Sequence, residues 1–157
     1  MIRIKDCSSH MAILTKCVLA TKGTVLELGS GYFSTPLLHW LCMDKNRFLL
    51  TLDDNPEWFH QAKRFQNKYH RIRMTDWKLD LKGHYSVAFI DQSTRNRAPT
   101  AIYLKDKVDY VILHDADSPH QYHYERVFPH FKYRYDYDKV RPMTTVLSNF
   151  NDLKWLT

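Results

Sequence analysis

Thr24-Val-Leu-Glu-Leu28-Gly-Ser-Gly31-Tyr-Phe-Ser34-Thr35-Pro36 is read here as a strand, a glycine turn and the start of a helix. The apolar run ends abruptly at Gly29, as a short buried strand does. Pro36 sits where a first helical residue would be and Thr35 where its cap would be, so a helix is expected over 36–43. Two of the chain's four glycines, Gly29 and Gly31, fall in the turn. A glycine pair between strand and helix lets backbone come close to a bound molecule.

Working outward, the same alternation continues. An amphipathic stretch at 9–20 carries Met11, Leu14 and Val18 at helical spacing. A second strand, 48–52, leads into Asn55-Pro56 and a helix with a stripe of Trp58, Ala62, Phe65 and Tyr69. Strands follow at 71–74, 85–90 and 108–113, with a helix at about 97–105 between the last two. Ser118-Pro119 opens another helix to about residue 130, and strands at 132–138 and 143–149 close the chain around Pro142. Such alternation predicts an α/β fold with a mostly parallel sheet and helices on both faces. The final pair of strands has no helix between them, which predicts one antiparallel edge strand.

The 157 residues suit a single domain, 1–157, without a separate substrate module. Composition is globular: 44% hydrophobic, 25% charged. Three cysteines (Cys7, Cys17, Cys42) lack C-x-x-C spacing, which argues against a disulfide framework or a cysteine zinc site. No apolar run approaches the ~18–20 residues of a membrane span, and Lys16 interrupts the only stretch resembling a leader. The expectation is a soluble, cytoplasmic protein with no membrane partner. A net charge of +6 permits an anionic partner, nucleic acid included, without requiring one.

In an open parallel sheet, ligands sit beyond the carboxyl ends of the strands at the topological switch point, so polar residues there are the candidate site. The first strand contributes Glu27, Gly29 and Gly31, with Tyr32, Ser34 and Thr35 following in the turn. The second ends at Asp53-Asp54, whose carboxylate suits the hydroxyls of a ribose. The third ends at Thr75-Asp76-Trp77, an acceptor beside a flat apolar ring suited to adenine, or equally a surface aspartate and a core tryptophan. The fourth ends at Asp91 and the fifth at His114-Asp115.

Glu27-x-Gly29-x-Gly31, Asp53 in its Asp-Asp-Asn-Pro-Glu-Trp context and Ile90-Asp91 together resemble the class I S-adenosylmethionine-dependent methyltransferases, over about residues 24–149. The resemblance implies a Rossmann-like seven-stranded sheet with its last strand antiparallel. It also implies S-adenosylmethionine as cofactor, with methionine over Glu27, Gly29 and Gly31, ribose on Asp53, and adenine near Asp76 and Trp77. The His114-Asp115 ending is similar to that of small O-methyltransferase-like members. Three features depart from the family. Only ten residues, Thr75 to His84, join the third and fourth strands; no Pro-Gly-Gly turn precedes the fifth; and Asp91 is followed by Gln92-Ser93 rather than the Pro-Pro-aromatic run of amino-directed DNA methyltransferases.

The expected chemistry is methyl transfer to an oxygen of an unidentified acceptor. Asp91 or His114 would serve as general base and Asp115 would orient it or bind metal. The segment from His114 to His123, with Asp91, is rich enough in ligand atoms to hold Mg²⁺ but matches no stringent metal spacing. Arg95 and Arg97 could grip an anionic substrate, or be solvated loop residues. A nucleic-acid (RNA) methyltransferase and a protein that only binds S-adenosylmethionine are the competing readings. A dinucleotide enzyme is disfavoured because Ser34 stands where the third glycine of G-x-G-x-x-G belongs.

Overall fold

A computed structural model describes residues 8–157, so Cys7 and the first part of the leader-like stretch lie outside the described residues. Among the described residues, seven strands form one sheet in the order β3-β2-β1-β4-β5-β7-β6. The central strands β1 (Val25–Leu28) and β4 (Tyr85–Ile90) are buried throughout, and β5 (Val108–Leu113) nearly so. This explains why they read as continuous apolar runs rather than alternating ones. β2 (Leu49–Asp53) and β3 (His70–Met74) extend the sheet parallel to β1 on one side. On the other side β7 (Thr144–Ser148) is inserted antiparallel between β5 and β6 (Tyr133–Tyr137). The expected antiparallel strand is therefore the last in sequence, one place in from the edge that β6 occupies.

Two apolar layers flank the sheet. On one face, α1 (Met11–Leu19) and α2 (Ser34–Asp44) bury Ile13, Leu14, Cys17, Leu38 and Cys42 against Val25, Leu49, Val87 and Phe89. Tyr133, Tyr135 and Tyr137 pack on the same layer, as their alternation along β6 suggests. On the other face, α4 (Thr94–Leu104) buries Ala98, Ala101 and Leu104 beside Leu26, Leu28, Ala88 and Val111. No helix joins β3 to β4; Leu81 in that connection is buried in this layer, and Trp77 and Leu79 pack against it from the coil. A buried leucine contributes roughly 1.5–3 kcal/mol, so this short apolar loop compensates in part for the missing helix.

Local chemistry sets the boundaries. α3 (Pro56–Ala62) begins as read: the Asn55 side chain accepts from the amides of Glu57 and Trp58, with Pro56 in the first turn. It stops earlier than its stripe suggests, relaxing at Lys63–Phe65 into a 3-10 turn. α2 begins one residue before the expected cap, and Thr35 lies inside it. The helix expected over 119–130 is only α5 (Pro119–Tyr122) followed by two 3-10 turns, because His123 takes a left-handed conformation, φ 58°, and breaks the helical path. Among the described residues, no helix is long and apolar enough to cross a membrane.

Candidate active site

The chain runs from β1 outward to β2 and β3, then returns to β4 on the other side of β1. The switch point is thus between β1 and β4. Beyond their carboxyl ends opens a cleft of about 560 Å³, lined by Gly29–Ser34, Asp53–Pro56, Trp58, Asp91–Thr94, Arg97 and His10. That volume lies within the ~300–1,000 Å³ of sites that enclose small organic ligands.

Gly29 builds the floor. Its amide bonds to the Leu52 carbonyl at 2.9 Å while the Asp91 amide bonds to the Leu28 carbonyl at 2.8 Å, so three strand ends are tied together here. Its φ is +90°, and a Cβ would lie 2.6 Å from the backbone carbonyl carbon of Asp91 and 2.6 Å from the Gln92 nitrogen. Only glycine fits that crossing. The Asp53 carboxylate organises the turn: one oxygen accepts from the amide and hydroxyl of Ser30 at 2.7 and 2.6 Å, the other from the Asn55 amide at 2.8 Å. A carboxylate has about four acceptor positions, so Asp53 keeps capacity for one further donor.

Glu27 lies beneath the turn, fully buried. Thr51 donates to it at 2.6 Å, and Thr35 donates at 3.0 Å while itself accepting from the Gly31 amide. Each hydroxyl has one hydrogen. Thr51 Oγ1 must therefore accept from His70 Nε2 at 2.8 Å, and His70 Nδ1 from His39 Nδ1 at 3.1 Å. Burial pushes the Glu27 carboxyl up to about 7 against the opposing pull of the hydroxyl bonds.

A pH dependence follows from Glu27. The folded form holds this proton up to about pH 7 and the unfolded chain only to about 4.5, so the folded state binds more protons between those values. Stability should fall across that window as pH rises, by about 3 kcal/mol on this group's account. His70 and His10, which burial lowers to about 3 and about 4, act with the opposite sign. Their effect is complete once pH exceeds the ordinary histidine value of 6.5. Urea unfolding of wild type and Glu27→Gln from pH 5 to 8 separates the two: the difference between the curves should drift steadily in favour of Glu27→Gln, whereas parallel curves would contradict the assignment.

The far wall is a charge cluster. Arg97 on α4 is buried and bridges Asp91 at 2.6 Å and Asp115 at 2.9 Å. His114 Nδ1 lies between the same carboxylates, 3.3 Å from Asp91 and 3.4 Å from Asp115, aligned as a hydrogen bond with neither. The Ser9 hydroxyl gives its hydrogen to the Pro142 carbonyl at 2.6 Å, so His114 Nε2, at 3.1 Å, donates to Ser9. A neutral His114 ring would then point a bare lone pair at two carboxylates; protonating Nδ1 converts that repulsion into attraction. Burial lowers the His114 pKa, but the nearby Asp91 carboxylate, with the charge of Asp115 added, outweighs it and raises the value. Asp91 is pushed up by burial, yet His114 and Arg97 together hold its carboxyl below the usual range.

Asp91, His114 and Asp115 gather ligand atoms within 4.8 Å of one another, the cluster that invites a metal reading. The Arg97 guanidinium is already paired with both carboxylates, so a cation would have to displace it, and these residues do not fit a metal site. His120 and His123 are exposed and lie beside Glu125.

Of the residues singled out in the sequence, Gly29, Gly31, Tyr32, Ser34, Asp53, Asp54 and Asp91 line the cleft. Glu27 and Thr35 support it from below, and His114 and Asp115 stand behind Asp91. Asp76 and Trp77 are not among the lining residues: Asp76 is exposed and accepts from the Lys78 amide, while Trp77 packs into the core layer. Arg97, read as a grip for an anionic substrate, is committed to the internal ion pairs. His10, which the sequence offers as part of a Ser8-Ser9-His10 lid over the cofactor or as a plain helix cap, lines the cleft. It is 2% exposed, and neither ring nitrogen has a partner among the described residues. Leaving a buried polar group unpaired costs about 1–3 kcal/mol.

Solved structures share this fold. A methyltransferase from Pyrococcus furiosus superposes with TM-score 0.57 at 14% identity, over 90% of this chain and 83% of that one. A TehB-like S-adenosylmethionine-dependent methyltransferase from Corynebacterium glutamicum gives TM-score 0.61 at 10% identity, over 91% and 88%. The N-terminal domain of human METTL16 in complex with S-adenosylhomocysteine gives 0.61 at 10%, over 90% and 69%. The fold is the class I methyltransferase fold. No family model matches the chain, and no curated protein matches its sequence.

Proposed function

We infer that the chain is an S-adenosylmethionine-dependent methyltransferase acting on an oxygen of its acceptor. The observation that carries this is the glycine floor: Gly29 pressed onto the Asp91–Gln92 backbone at the switch point, with Asp53 at one side of the cleft and a cation-carboxylate cluster at the other. Bound there, S-adenosylmethionine would supply an electrophilic methyl group. Asp53 would take a ribose hydroxyl on its remaining acceptor position, and the amides of the Gly29–Gly31 turn would bound the methionine end. Asp91, fixed by Arg97, would hold negative charge beside the sulfonium. Arg95, exposed on α4 near the cleft, is the basic residue left for an anionic acceptor. The Gln92-Ser93 sequence after Asp91 supports oxygen over a nucleobase amine.

The test is transfer of a tritiated methyl group from S-adenosylmethionine into a cell extract that is then fractionated. Label in the small-molecule or glycan fraction, released from oxygen on ether cleavage or ester hydrolysis, supports the reading. Label in nucleic acid would move the acceptor to the competing class. No label in any fraction would contradict an enzymatic role.

A further inference from the structure

We propose that the β3 edge of the molecule is a docking surface for single-stranded nucleic acid, held by five cations set among aromatic rings. This goes beyond the methyltransferase reading and does not rest on it. The stretch from Trp58 to Thr75 contains Lys63, Arg64, Lys68, Arg71 and Arg73 and no aspartate or glutamate. Nearly all of the net charge of +6 is therefore carried by the 3-10 turn after α3, the loop beyond it and β3. All five side chains are exposed, and none is bridged to an acid among the described residues. Lys45, Lys78 and Lys82, ahead of and after this stretch, are by contrast each paired, with Asp44, Asp76 and Asp80.

Charge on an edge strand also discourages pairing with another chain, but charges of either sign serve that purpose. The opposite edge shows the mixed form: on β6 Arg134 pairs with Asp136, and Asp138 stands next to Lys139. On β3 the sign is uniform, and like charges gathered on one surface repel one another until an anion is brought to them. Arg71 and Arg73 lie on one face of this edge strand, in register with Leu50 and Leu52. Aromatic rings complete the surface. Lys63 Nζ stands 5.3 Å from the centre of the Phe59 ring, the Arg64 guanidinium 5.0 Å from Phe65, and Lys68 Nζ 4.8 Å from Tyr69. All three rings are half-buried, so each is fixed by the fold and still meets solvent. Arg64 and Phe65 share a small groove with Tyr32 and Trp58, whose rings meet edge-on at 4.8 Å. Cations for the phosphates, with rings and a guanidinium plane for the bases, are the combination that binds single strands of any sequence. An anionic membrane or a sulfated glycan would use the charges and leave the rings without a role.

The test is fluorescence anisotropy with a labelled oligouridylate of about 15 nucleotides, over roughly 50 to 200 mM salt. Wild type should bind it saturably, with log K falling against log salt at a slope of about −3.5, about 0.7 for each of five phosphate contacts. A triple variant, Lys63→Gln with Arg64→Gln and Lys68→Gln, should flatten the slope to about −1.4, and Arg71→Gln with Arg73→Gln to about −2.1. The five positions are exposed, so both variants should melt as wild type does; the two are independent, and either one suffices if the other does not fold. Lys132→Gln with Lys139→Gln, on the opposite edge, should stay within about twofold of wild type. Inorganic polyphosphate of matched length, which has the charge without the bases, should compete about tenfold less well, the scale of one stacked base. Absence of saturable binding, or one slope shared by wild type and both folded variants, would overturn the proposal. So would polyphosphate competing equally, or an equal loss in the opposite-edge control. None of these results would touch the methyltransferase reading, which stands on cofactor binding in the cleft.

Discussion

Gly29→Ala should destabilise the fold by about 2–6 kcal/mol and abolish cofactor binding at any concentration that leaves the wild type half saturated. Two penalties combine. A non-glycine residue held at φ +90° costs about 1–3 kcal/mol. Forcing a methyl into backbone atoms 2.6 Å away adds about 1–3 kcal/mol of overpacking, because a strand crossing cannot step aside as a side-chain tip can. Gly31→Ala is the internal control. Its added Cβ meets only the Ser34 hydroxyl at 3.2 Å and its backbone is not left-handed, so its stability should change by less than about 1 kcal/mol. Urea unfolding of both variants decides it; equal losses would show that the turn, rather than the crossing at Asp91, is the strained element.

Arg97→Met is expected to cost about 3–5 kcal/mol at pH 7, the range for removing one partner of a buried ion pair. Here one cation serves two carboxylates, Asp91 and Asp115, and its aliphatic part is already packed, so methionine fills the space without supplying the charge. The His114 imidazolium compensates in part. The pH dependence shows the loss too: wild-type Asp91 has a carboxyl held below the usual range, so its contribution is lost as pH falls, and without the guanidinium that acid-side loss should shrink. Arg97→Lys should recover only part of the loss, since an ammonium cannot bridge both acids as a planar fork does. Equal stability of Arg97→Met and wild type from pH 4 to 8 would contradict the cluster as drawn.

Legibility in the sequence followed the range of the interactions. The β1–Gly29 turn, the Asn55-Pro56 cap and the strand-end acids Asp53 and Asp91 are decided within a few residues, and all could be read. The segment after Pro119 could not, because a left-handed residue at His123 leaves no mark in hydrophobic periodicity. Thr35 looks like a cap in sequence; only the register of β1 against β2 brings Glu27 and Thr51 together and turns Thr35 toward them. The ion pairs of Arg97 and the burial of His10 against His114 were hidden for the same reason. Their partners and neighbours, Asp115 for one and His114 for the other, are far away in the chain. The polar triplet Ser8-Ser9-His10 ahead of an apolar helix was the one available signal for the latter.

The most direct test of the central claim is calorimetric titration with S-adenosylmethionine, S-adenosylhomocysteine and NAD in parallel, on wild type and Asp53→Ala. Saturable one-site binding of the first two and none of NAD is predicted, weakened roughly 10–100-fold in Asp53→Ala as a charge-assisted hydrogen bond is lost. Binding of neither sulfur nucleoside to the folded wild type would contradict the account, and the glycine floor would then be architecture alone.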